Sequence, residues 1–140
     1  MIFNNINQYL HSGSRNKIVF FKEKQSEIPC FDVGFHLAKA LEKLNSIKHI
    51  SFRTEEILEN MLNKAITEVE PFDRILCLTN LGILFEKDLK LNFRLILEEY
   101  SKDIPLFVHW EGQIENNALY FLSKAKGIKI DINDLSHITL

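Results

Sequence analysis

The chain has 140 residues, 46% of them apolar and 26% charged, with 17 Lys and Arg against 19 Asp and Glu and a formal net charge of −2. That length fits one domain, and the composition excludes a disordered chain, a charged tail and a disulfide-dense secreted scaffold. The balanced charge excludes strong attraction to nucleic acid or an anionic membrane, and no run of about 18 apolar residues exists to span a bilayer.

Ile2, Ile6, Tyr9 and Leu10 fall at helical spacing and predict a short N-terminal helix, followed by a loop at Ser12, Gly13 and Ser14. Residues 1–10 carry Asn and Gln but no basic stretch, so they do not read as a signal peptide. Ile18–Phe21 is a continuous run of strand formers, the mark of a strand covered on both faces. Residues 22–27 are a polar turn, and residues 28–33 predict a second strand weakened by Pro29. A parallel crossover needs about a dozen residues, so these two strands either form a hairpin, the favoured reading, or are separated in the sheet by an unusual path.

Residues 34–45 predict a helix with Leu37, Ala38, Leu41 and Leu44 on its inner face. Residues 47–52 read as a connector. Thr54 reads as the N-cap of the next helix, with Glu55 and Glu56 in its first turn and an apolar stripe from Ile57 to Val69. Arg74–Thr79 is a buried strand, residues 87–101 a further amphipathic helix, and residues 104–110 another apolar strand. Residues 112–117 predict a polar loop, residues 118–124 a helical turn, and the alternation around Ile128, Ile130 and Ile132 a half-exposed strand. Apolar strands alternating with amphipathic helices imply a single three-layer α/β domain with a largely parallel central sheet, residues 1–16 forming an N-terminal helix and loop and residues 17–140 the core.

Motif chemistry is sparse. The five glycines, Gly13, Gly34, Gly82, Gly112 and Gly127, form neither a P-loop nor a dinucleotide fingerprint. The strand at residues 74–79 ends in Thr79 and Asn80, where a P-loop ATPase would place a carboxylate for its metal. The histidines and cysteines show no zinc-ligand spacing, and no Gly-x-Ser-x-Gly nucleophile motif occurs, so no metal, cofactor or catalytic residue is assigned. Cys30 and Cys77 sit in apolar runs and read as buried free thiols rather than a disulfide, which sets the expected location as the cytoplasm.

Three candidate sites remain. Thr79, Asn80, His109 and Trp110 sit at or just beyond strand ends, where an open α/β sheet binds ligands, although a surface histidine beside a capping aromatic is the plainer reading of the last two. Leu91 and Leu95 extend the apolar stripe of their helix to a second face, so that helix is either deeply buried or covers a partner protein. Lys124, Lys126 and Lys129 form a small basic cluster able to touch a phosphate backbone, against a plain reading as ordinary surface.

The segment from Arg74 to Gly112 carries a resemblance. It runs Arg-Ile-Leu-Cys-Leu-Thr-Asn-Leu-Gly-Ile-Leu-Phe-Glu-Lys-Asp-Leu, then a helix, then Ile-Pro-Leu-Phe-Val-His-Trp-Glu-Gly. This resembles the second half of BrxF, the small P-loop protein family of BREX bacteriophage-defence systems, with Asn80, Leu84, Phe85, Leu89, Trp110 and Gly112 as matching positions. With the two preceding helices the likeness covers roughly two thirds of the chain, through short and mostly apolar motifs. It implies a degenerate P-loop scaffold, because no Walker A loop is present and Thr79 stands where the Walker B acid would. The function the resemblance implies is that of a non-catalytic binding or assembly subunit of a prokaryotic antiviral system, with other defence proteins as partners, self-association open, and nucleic-acid contact weak or indirect. The alternatives are a small-ligand or nucleotide sensor or enzyme at the sheet's carboxyl edge, and a nucleic-acid accessory protein.

Overall fold

The computed structural model describes residues 2–122 and 127–140. Its centre is a mostly parallel sheet built on four-to-six-residue apolar strands: β1 (Ile18–Phe21), β4 (Arg74–Thr79) and β5 (Leu106–His109). Two short strands, β2 (Phe31–Asp32) and β3 (Thr67–Glu68), and a late one, β9 (His137–Thr139), complete it. The order is β2-β4-β5-β1-β9 in parallel, with β3 antiparallel beside β4. The expected mixed α/β domain with a largely parallel central sheet is therefore present.

Alternation along each strand divides the core into two faces. Ile18, Phe20, Leu76, Leu78, Leu106 and Val108 point to one side, where they pack against α2 (Val33–Glu42), α3 (Ile50–Ala65) and α4 (Phe93–Tyr100). Val19, Phe21, Ile75, Cys77 and Phe107 point to the other, under Ile6 and Leu10 of α1 (Ile2–Leu10) and under Ile28. A smaller antiparallel sheet of β6 (Gln113–Glu115), β7 (Ala118–Phe121) and β8 (Ile128–Asp131) closes the first face through Leu119 and Ile130.

Several expectations are corrected. β1 and β2 do not form a hairpin, because β5 and β4 lie between them. The short connection suffices because β2 pairs only with the far end of β4, Phe31 opposite Leu78 and Asp32 opposite Thr79. The chain moves sideways along the carboxyl edge and never returns to the amino edge. Three strand spacings are about 15 Å, well within the reach of nine residues. Along that path Cys30 meets Cys77, and the two are joined in a disulfide with Cα atoms 4.6 Å apart, so neither is the free thiol expected.

Helix boundaries also shift. α3 starts four residues before Thr54, which lies inside it on the same face as the buried Leu58 and Leu62. Its hydroxyl donates to the Ile50 carbonyl at 2.6 Å, which lets it sit in the core instead of capping the helix. α4 is shorter than the 87–101 pattern because Asn92 caps it, accepting from the Leu95 amide at 3.1 Å, and Lys90 takes a left-handed conformation just before. Residues 112–122 depart furthest from expectation, the last two residues of the expected helical turn lying outside the described residues. Asn116 and Asn117 both have positive φ, so β6 and β7 form a tight hairpin where a loop and a helical turn are expected.

Candidate functional site

Parallel pairing points β1, β2, β4 and β5 toward one edge, where Phe21, Asp32, Thr79 and His109 end their strands. Thr79 and His109 fall on the α1 side of the sheet, and both are buried. His109 is thus not the surface histidine of the plainer reading. Its Nε2 is 2.9 Å from the Lys22 carbonyl and its Nδ1 is 2.7 Å from Thr79 Oγ1. A carbonyl can only accept, so Nε2 carries the proton, and in the neutral ring Nδ1 accepts from the Thr79 hydroxyl. Phe21 stacks on the ring with centroids 5.5 Å apart. The imidazole thereby ties together the ends of β1, β4 and β5.

Asn80 adopts φ 58 and turns the chain out of β4. Its side-chain amide donates to Asp32 Oδ1 at 2.8 Å, and its carbonyl accepts from the Gly34 amide at 2.9 Å. The same Asp32 oxygen caps α2 by accepting from the Phe35 amide at 2.9 Å. These hydrogen bonds, from the Phe35 amide first and the Asn80 amide second, hold the Asp32 carboxyl below the ordinary aspartate value. Gly34 must be glycine here, since a Cβ would press into the Asn80 side chain.

Trp110, one residue beyond β5, falls on the opposite side of the sheet and is buried among Phe85, Phe93 and Phe121. Its indole nitrogen donates to the Gln113 carbonyl at 3.3 Å. A cleft of about 360 Å³ opens at this edge between Asn80, His109, Trp110 and Phe121. The structure brings Asn80, His109 and Trp110 to this cleft, with Thr79 bonded behind His109. However, both nitrogens of His109, the Thr79 hydroxyl, the Asn80 amide and the Trp110 N–H are already committed to partners within the protein. Among the described residues, no cluster of three or more His, Cys, Asp or Glu is arranged to hold a metal.

A larger cleft, about 600 Å³, runs between α3 and α4. Leu58, Ile66, Ile96 and Ile104 contribute apolar surface, and Glu55, Glu59, Glu99 and Asp103 line it with charge. Leu91 and Leu95 both line this cleft, and Leu95 is 45% exposed. Leu91 precedes the Asn92 cap and lies outside α4, so it does not extend the helical stripe as expected; within α4, Phe93 and Leu97 are buried while Leu95 is left open. Sequence reasoning misses these acidic residues as a group, placing only Glu55, in the first turn of its helix; the signal that could find them is their spacing beside Leu58 and Leu95. Lys129 is exposed on β8, and Lys124 and Lys126 lie outside the described residues.

Fold and site together define an α/β domain with a self-satisfied carboxyl edge and an open interhelical cleft. No helix among the described residues is long and apolar enough to cross a membrane. Compared with known proteins, the chain matches no family model, no curated protein and no solved structure.

Proposed function

We propose that this chain is a non-catalytic binding or assembly subunit that works through protein contacts, in a prokaryotic antiviral system of the kind BrxF serves. The observation that carries the reading is the cleft between α3 and α4, with Leu95 exposed at its lip. Cleft-lining helices with exposed leucines are a common way for one protein to receive an element of another.

The state of the carboxyl edge supports the non-catalytic part. Residues 22–30 follow β1 where a phosphate cradle would stand, yet they hold no glycine and include Pro29. His109 and Thr79, the side chains best suited to chemistry there, are spent on each other and on Lys22. Of the positions that carry the BrxF resemblance, Asn80 bonds Asp32 and the other five serve packing: Leu84 and Leu89 are buried, Phe85 and Trp110 meet edge to face, and Gly112 lets the β6–β7 hairpin close. A degenerate P-loop scaffold that kept its core and lost its cradle accounts for that pattern. A cytoplasmic location belongs to the same proposal, although its free-thiol ground is removed by the Cys30–Cys77 disulfide, and that bond found intact in protein from the native host would overturn it.

A photo-crosslinking amino acid at position 95, expressed in the native host, should give a discrete adduct with another protein. Titration calorimetry with Mg-ATP should give no binding. Absence of any adduct, or micromolar affinity for Mg-ATP, overturns the reading.

A further inference from the structure

The cleft also constrains what enters it, and the identity of that occupant rests on the protein-contact reading. From Glu55 to Asn63, α3 presents about two turns, roughly 12 Å, to the cleft. That length matches a short helix lying alongside. The charge on the cleft is one-sided. Four carboxylates line it, and Arg74 is the one cation that does so among the described residues. Lys102, at the rim, pairs with Glu99 at 3.3 Å. The field reaches across the gap: Tyr100 on α4 has its phenol pKa raised, first by burial and then by the charge of Glu59 on α3.

We propose that the cleft receives a basic amphipathic helix of another protein, its apolar edge on Leu91 and Leu95 and its lysines or arginines against Glu55, Glu59, Glu99 and Asp103. A purely apolar helix would leave these carboxylates partly desolvated without partners. A second copy of this chain is a poor match. α1 carries no charge, α2 sets Lys39 against Glu42, and α3 and α4 each hold more acidic than basic residues. No described helix carries a net positive charge.

The test uses isotope-labelled protein titrated with two synthetic helical peptides of about 18 residues, identical in their leucines, one with lysines and the other with glutamates on the polar face. The lysine peptide should move the amide resonances of α3 and α4 around Leu91 and Leu95, and the glutamate peptide should not. Combined Glu59→Lys and Glu99→Lys, in a variant with unchanged circular dichroism, should weaken lysine-peptide binding about tenfold or more. Equal binding of both peptides, shifts elsewhere on the molecule, or indifference to the charge reversals overturns the proposal. A dimer in sedimentation equilibrium that Leu95→Glu dissolves would assign the cleft to a second copy, overturning this occupant while preserving a contact role. Loss of all crosslinking at position 95 removes the contact role itself, whatever the peptides do.

Discussion

His109 Nδ1 lies 2.7 Å from Thr79 Oγ1, a buried side-chain pair that joins neighbouring parallel strands at their carboxyl ends. Ladder hydrogen bonds hold β4 and β5 along their length, and this bond adds a side-chain tie from the end of β4 through His109 to Lys22, just past β1. Thr79→Val keeps the shape and removes the donor, leaving Nδ1 buried without its partner. Urea unfolding should show a loss of about 1–2 kcal/mol, with Thr79→Ser recovering most of it. Equal stability of Thr79→Val and the unaltered protein would remove the bond from the account.

Asp32 caps α2 and orders Asn80 through one carboxylate oxygen. Asp32→Ala should cost about 1 kcal/mol in thermal or urea unfolding, and Asp32→Asn less. Because the carboxyl is held below its ordinary value in the folded protein, its contribution is complete above that value and fades as pH falls through the folded pKa. The stability gap between the protein and Asp32→Asn should therefore narrow as the pH falls through and below the ordinary aspartate value. A gap that widens on acidification contradicts the assigned hydrogen bonds.

Gly112 sits where the chain leaves Trp110 and enters the β6–β7 hairpin. A Cβ there would collide with the Tyr120 carbonyl and approach the Trp110 indole nitrogen at 3.1 Å. Gly112→Ala should lower stability by about 1–3 kcal/mol and shift the amide resonances of the hairpin before those of β1. A neutral substitution would mean that the hairpin gives way freely.

The Cys30–Cys77 bond closes a sequence separation of 47 residues between the strap after β1 and the central strand β4. Reduction, or Cys30→Ala, should cost about 2–4 kcal/mol in urea unfolding. Intact mass before and after reduction and alkylation checks the bond itself: labelled thiols should appear only after reduction.

Much of this protein is legible along the chain. Runs such as Ile18–Phe21 and Arg74–Thr79 are apolar on both faces, so they have to be interior strands, and the helices between them have to cover a largely parallel sheet. The short interval after β1 is equally plain, but its meaning is not. The same few residues fit a hairpin or a sideways strap, and the choice rests on β2 reaching only Leu78 and Thr79 of β4. Likewise Asn116 and Asn117 mark a turn, yet that this turn closes a hairpin rests on β6 and β7 pairing across it.

The amino-acid order by itself determined what is local: which segments are apolar, at what period, and which phosphate and metal motifs are missing. Only the tertiary structure decided adjacency. It set His109 on Thr79, Cys30 on Cys77, and the carboxylates of α3 across from Leu95 of α4. Periodicity is carried by neighbours in the chain and can be read there, whereas a hydrogen bond across a sheet or a shared cleft joins residues far apart in sequence and exists only after the chain has packed.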